Sequence, residues 1–166
     1  WFDAVGDEHR HVRDHAGIFD QSSFAKFELL GPGAAEALEA ICANRVARDV
    51  GRLTYTQLLN SRGGIEADLT VARLGEDRFY IVTGTGFRTH DYGWIADHLP
   101  SAGVTLRDVT EDWGTLSLMG PKARDILAKV TTGDVSNTAL PFGSAREIEI
   151  AGVPTRALRV TYVGEL

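Results

Sequence analysis

The chain is poor in cysteine, and what it lacks narrows the function classes it could serve. With Cys42 alone among 166 residues, no internal disulfide can form. The segment around it, LEAICANRV, reads as the apolar end of a helix, so the thiol is expected to be buried and inert, in a reducing compartment. Positive charge is also in deficit: 17 Lys and Arg stand against 23 Asp and Glu, for a formal net charge of −6. The acidic excess is spread along the sequence rather than gathered in a tail, so a phosphate backbone is repelled overall and nucleic acid is not an expected partner. No apolar run approaches the roughly 18 residues a membrane span needs, and no charged-then-apolar leader is visible, which leads to the expectation of a cytoplasmic protein with no membrane partner. His11 and His15 have the i, i+4 spacing that can share a metal, but no Glu follows His11 in H-E-x-x-H order and no third ligand stands out, so no metal site is expected. There is no G-x-S-x-G turn, and Ser117 lies inside an apolar strand pattern, so hydrolase chemistry has no support.

What is present is a chain with 43% hydrophobic residues, enough for one sizeable core or two small ones sharing an interface. Residues 3–16 are charged with sparse apolar positions and predict an exposed helix. FAKFELLG alternates as a strand, Gly31-Pro32 stops it, and GAAEALEAIC carries helical spacing through Ala34, Leu38 and Ile41. Pro32 suits a first helical turn, where its missing N–H costs nothing. The same device recurs at TLSLMGPKARDILAKV around Gly120-Pro121, a weak internal repeat of strand, Gly-Pro and helix.

Between the repeats, LTYTQLLN, IEADLTVARL and RFYIVTG read as a three-strand antiparallel meander, followed by a helix over 87–99. VTLRDVT and TLSLMG add two strands, and AREIEIAGVPTRALRVTYVG predicts a hairpin turning at Ala151-Gly152. Strands and helices mix without strict alternation, so the expected class is α+β, with antiparallel sheets and flanking helices. The chain opens on Trp1 and stops at TYVGEL directly after a strand, as a piece of a longer polypeptide would.

The segment GGIEADLTV bears most directly on chemistry. Ile65, Ala67, Leu69 and Val71 take one face of a strand and leave Glu66, Asp68 and Thr70 on the other. Carboxylates are poor strand residues. On an open face the pair are ordinary solvated charges; lining a cavity, they raise each other's pKa and can take or orient a proton. Tyr55 stands one hairpin strand back, and Tyr162 at the end of the last strand; each offers either a core ring or a flat surface with a hydroxyl for a heteroaromatic ligand. Gly84 and Gly86 fall between a strand and a helix, where backbone N–H groups could cradle an anion, but Thr89 occupies the third glycine position of G-x-G-x-x-G, against a dinucleotide site.

Taken in order, GIFDQSSFAKFELLGPGA, NRV, GRLTYTQLLNSRGGIEADLTVARL, RFYIVTG, LSLMGPKARDIL and RVTYVGEL resemble the aminomethyltransferase family. That family includes the T-protein of the glycine cleavage system and the C-terminal folate domains of dimethylglycine and sarcosine dehydrogenases. VTGTGFRTHDYGWI and FAKFEL are more similar to the dehydrogenase branch.

The resemblance implies a three-part, cloverleaf-like fold with tetrahydrofolate in a central hollow. Residues 1–100 would form the first subdomain, including the meander, and residues 101–166 part of a second, cut short at its C-terminal end. It also implies that Asp68 stands beside the folate nitrogen that receives the one-carbon unit, that Tyr55 lines the hollow, and that Tyr162 belongs to the family's Y-x-G-E motif. A further glutamate and a later arginine of the family fall at no position of this chain. The implied activity is transfer of a one-carbon unit from an N-methyl amine to tetrahydrofolate, giving 5,10-methylenetetrahydrofolate, with any FAD in a linked domain outside these residues. Two alternatives stay within the family, a glycine-cleavage aminomethyltransferase and a non-catalytic folate-binding module; a third is a plain structural α+β module.

Overall fold

The alternation in IEADLTVARL has the consequence its period requires. In a computed structural model that describes residues 1–161, β4 (Ile65–Gly75) buries Ala67, Leu69 and Val71 on one face and turns Asp68 to the other. β3 (Leu53–Leu59) and β5 (Arg78–Thr83) flank it as the expected meander. β2 (Ala25–Leu30) adds to β5 and β6 (Thr105–Asp108) to β2, so the five antiparallel strands run in the order β3-β4-β5-β2-β6.

One face of this sheet carries Ala25, Phe27, Leu29, Ala67, Leu69, Val71, Phe79 and Ile81. α2 (Ala34–Ile41) covers it with Ala34, Ala37 and Leu38, and α3 (Arg88–His98) with Ile95. Burial of such side chains is worth roughly 1.5–3 kcal/mol each and is the main term holding the layer together.

The opposite face is partly covered as well. Leu53, Ala72, Tyr80, Val109 and Ala145 form a second cluster, against which Trp113 and Leu158 pack. Its cover is a hairpin of β8 (Ser144–Ile150) and β9 (Val153–Arg159), whose turn places Ala151 at φ 49° and Gly152 at φ 82°, as a two-residue type I′ connection needs. β2 alternates apolar and polar, yet Glu28 is nearly buried where it meets Arg156 of the hairpin, and Lys26 is fully buried against Ser22 and the segment 110–115. Lys26 Nζ donates to the Ser22 carbonyl at 2.8 Å and the Trp113 carbonyl at 2.6 Å. Arg156 of β9 lies between the rings of Tyr80 and Trp113, 4.4 and 4.2 Å from their centroids, and reaches Glu28 at 3.1 Å.

The Gly-Pro repeat is structural. Gly31 and Gly120 both take positive φ, 121° and 106°, each three residues before an eight-residue helix, α2 and α4 (Ala123–Val130). Each helix is followed at once by an isolated bridge, Cys42 to Leu58 of β3 and Thr131 to Ile150 of β8. A Cβ on Gly31 would stand 2.3 Å from the Gly103 carbonyl oxygen, and one on Gly120 would stand 2.6 Å from those of Val12 and His15, so no other residue fits either position.

The two copies are linked through β1 (Gly17–Asp20), which pairs with β7 (Leu116–Met119) rather than with its neighbour in sequence. α1 (Phe2–Asp14) buries none of its residues, as its narrow apolar stripe predicted. Among the described residues, no helix is long and apolar enough to cross a membrane.

Candidate functional site

The register of the large sheet lines up its second face row by row. Leu53, Ala72, Tyr80 and Glu28 form one row, under the hairpin. The next row is Tyr55, Thr70, Val82 and Lys26, and beyond it stand Gln57 and Asp68. Tyr55 is 59% exposed, and Asp68 is exposed too. The cover therefore ends between the first row and the carboxylate, leaving a polar, open end to an otherwise buried sheet face.

Tyr55 and Asp68 are diagonal neighbours across β3 and β4, a separation an aromatic side chain can span. The Tyr55 hydroxyl donates to Asp68 Oδ2 at 2.7 Å. One carboxylate oxygen of Asp68 is thus oriented by the phenol, and the residue as a whole is exposed. A phenol ring beside an oriented, exposed carboxylate can hold a flat heteroaromatic donor and accept or stabilise a proton on it.

The edge of β3 that carries Tyr55 is secured from outside. Ala43 N–H donates to the Gln57 carbonyl at 2.8 Å, Asn44 Nδ2 to the Tyr55 carbonyl at 2.8 Å, and Asn44 N–H to Thr56 Oγ1 at 3.0 Å. These bonds satisfy an exposed strand edge and hold its backbone in place.

Of the sequence-predicted residues, the structure thus brings Tyr55 and Asp68 together, while Tyr162 lies outside the described residues. Glu66 does not join them. It accepts from Asn60 Nδ2 at 2.8 Å and sits 3.7 Å from His90 Nε2. The β3–β4 register shifts between Leu58 and Leu59, next to this position, so the simple alternation that put Glu66 beside Asp68 is interrupted. Gly84 and Gly86 flank a 3-10 turn (Thr85–Phe87) that leads into α3. Two hollows of about 390 and 280 Å³, one by Trp113 and Arg156 and one by Arg45, Arg48 and Arg73, include neither Tyr55 nor Asp68. Among the described residues no three His, Cys, Asp or Glu side chains are grouped to hold a metal.

Sequence reasoning missed Thr83 and Asp91. Asp91 is 1% exposed and accepts from Thr83 Oγ1 at 2.6 Å; its other oxygen lies 3.0 Å from His90 Nδ1. The available signal was an acidic residue on the apolar side of a predicted helix, four residues before Ile95.

An antiparallel sheet covered by helices on one face and bearing a phenol–carboxylate pair at the exposed end of the other makes this an α+β domain. The whole chain, residues 1–166, matches the GCVT N-terminal domain, and the protein belongs to that family of aminomethyltransferase-like domains. It is 34% identical over 168 residues to rat mitochondrial dimethylglycine dehydrogenase, covering 100% of this chain and 20% of that protein. It is 36% identical over 169 residues to the aminomethyltransferase of Symbiobacterium thermophilum, covering 99% of this chain and 45% of that one. The glycine cleavage system aminomethyltransferase T from Bartonella henselae has the same fold, with a TM-score of 0.82 at 31% identity over 96% of this chain and 42% of that chain. The chain thus spans a fifth to under a half of the length of these relatives.

Proposed function

We propose that this domain binds tetrahydrofolate at the open end of its large sheet and passes to it a one-carbon unit derived from an N-methyl amine, as part of a dimethylglycine or sarcosine dehydrogenase-like enzyme. The observation that carries the reading is the exposed Tyr55–Asp68 pair, with its 2.7 Å bond. Similarity along the whole of this chain to part of a dehydrogenase and part of an aminomethyltransferase supports folate chemistry common to both. In the dehydrogenase setting a flavin domain, covalently linked, generates the one-carbon unit.

When bound, tetrahydrofolate supplies the nitrogens that capture the one-carbon unit as 5,10-methylenetetrahydrofolate. Tyr55 offers its ring edge and hydroxyl to the folate, and Tyr162 is proposed to contribute from the far end of the chain. Asp68 Oδ1 orients the N10 position and takes its proton, or stabilises positive charge developing beside it. A fixed carboxylate does this best where water is excluded. Tyr55 and Asp68 are exposed among the described residues, so the reading calls for residues beyond those described to exclude water from the site.

The test is the thermal shift of the full-length polypeptide with reduced folate, for wild type and Asp68→Asn. Ligand at about 100 times its Kd adds roughly 2.7 kcal/mol, which at about 2–4 °C per kcal/mol is a rise of some 5–11 °C. The wild type should show the rise and Asp68→Asn should lose it. Absence of any rise would leave only a structural role for the domain. The likeness to the Bartonella aminomethyltransferase favours a second reading, a glycine-cleavage aminomethyltransferase. Formation of methylenetetrahydrofolate from formaldehyde or from an aminomethyl donor of that system separates the two.

A further inference from the structure

Resting on that reading, we infer that Asp91 is a positioning residue for Asp68, acting through Thr83 and, on its other oxygen, through His90. The β4–β5 ladder ends at the pair Leu69 and Thr83, so the Asp68 carbonyl lies one residue beyond the last paired position. There the Thr83 hydroxyl takes the place of a strand: its oxygen is 3.4 Å from the Asp68 carbonyl oxygen and 2.6 Å from Asp91 Oδ2. A hydroxyl has one proton, so the short contact to the carboxylate sets the rotamer and the longer one to the carbonyl is the weaker branch of a shared bond.

Asp91 Oδ1 meets His90 Nδ1 at 3.0 Å, and His90 Nε2 is 3.7 Å from Glu66 Oε2. The buried Asp91 carboxylate thus reaches the Asp68 backbone through Thr83, while His90 stands between it and Glu66, within ion-pair distance of Glu66 when its ring is protonated. Glu66 is itself tied to Asn60, whose side-chain oxygen accepts from the Arg62 and Gly64 amides at 3.0 and 2.9 Å and so closes the β3–β4 turn.

Asp91 sits on α3 on the side that packs against the sheet, near Ile95, where an unpaired carboxylate is costly and an apolar residue would fill the space without cost. Asp91 stands in the first turn of α3, where the helix dipole favours an acid, but it makes no cap hydrogen bond and its oxygens meet Thr83 and His90 instead. The carboxylate also fixes the Thr83 hydroxyl beside the Asp68 carbonyl, where the β4–β5 ladder ends. A site held this way keeps its geometry to the fraction of an ångström that transfer chemistry requires.

The test compares Thr83→Val, Thr83→Ser and Asp91→Asn with the wild type and Asp68→Asn in the full-length enzyme, reading folate-dependent kcat, the apparent Kd for reduced folate and the unfolding midpoint. Thr83→Val is isosteric and should lower kcat about tenfold while folate affinity changes less than about twofold, the signature of a misplaced rather than a missing group. Thr83→Ser restores the hydroxyl and should return kcat to within about threefold of wild type. Should Thr83→Val fail to fold, Asp91→Asn, which keeps the volume but turns one acceptor into a donor, carries the same expected loss of kcat. Wild-type kcat in the folded variants, with Asp68→Asn inactive, would overturn the positioning role and leave the proposed function standing. No folate-dependent turnover in the wild type would overturn both.

Discussion

Glu28→Gln should destabilise the fold more than Arg156→Met, although the second removes a whole guanidinium and the first exchanges one atom. The Arg156 side chain is 4% exposed, its Nη2 is 3.1 Å from Glu28 Oε1, and its buried Nε and Nη1 meet no acceptor among the described residues. Arg78, 3.0 Å away, shares the same carboxylate oxygen and is far more exposed. Arg156→Met leaves Glu28 paired to Arg78 and keeps an apolar stem between Tyr80 and Trp113. Its cost is the loss of two cation–π contacts of about 0.5–2 kcal/mol each, partly recovered by burying the methionine, for a net of about 1–2 kcal/mol. Glu28→Gln instead leaves a cation almost wholly out of water with no anion, a change that costs about 3–4 kcal/mol. The double variant removes both charges and should cost less than the sum of the singles. Urea titrations monitored by circular dichroism read all three. At about 2–4 °C per kcal/mol, Glu28→Gln should melt roughly 6–16 °C below wild type. An equal or reversed order of the single variants would refute the view that Glu28 is what allows Arg156 to be buried.

Lys26→Met should cost about 2–4 kcal/mol in the same titration, because it leaves the Ser22 and Trp113 carbonyls without the ammonium that now binds both. In acid, burial alone would raise the Asp108 carboxyl, but hydrogen bonds from Arg88 and Thr110 and the Arg88 charge outweigh it and hold it below the usual aspartate value. Its contribution is complete above the unfolded value near pH 4 and is lost as pH falls through the lower folded value, so the urea midpoint should drop below about pH 4 and Asp108→Asn should flatten that drop. Burial, with the Glu39 charge beside it, pushes the half-buried Cys42 thiol up to about 12, so a thiolate-selective reagent at pH 8 should label it far more slowly than a free cysteine. Asp68→Asn should abolish folate-dependent turnover while leaving the unfolding midpoint without folate within about 0.5 kcal/mol of wild type, since the residue is exposed.

The legible parts of this protein were those governed by local rules. The meander followed from period-2 patterning and the two Gly-Pro starts from positive φ at Gly31 and Gly120, and the hairpin turn fell at Ala151-Gly152 as the sequence marked it. Asp68 could be singled out because a carboxylate in mid-strand is unusual, and Tyr55 because of its place on the neighbouring strand. Glu66 was misplaced relative to them because a register shift near Leu58 broke the alternation on which the pairing rested.

By itself the sequence determined the meander, the two Gly-Pro helices and the last hairpin, and that Tyr55 and Asp68 stand on one hairpin, since these depend on neighbours within a few residues. It did not mark β1, and Ile65, read onto the apolar face of β4, is exposed. Only the tertiary structure decided that β2 is buried on both faces, that Arg156 meets Glu28 across 128 positions of chain, and that Asp91 reaches the strand end carrying Asp68. Those arrangements depend on how a hairpin and a helix settle on opposite faces of one sheet. No local periodicity encodes that, because the groups that satisfy each buried charge come from distant segments that meet only when the layers close.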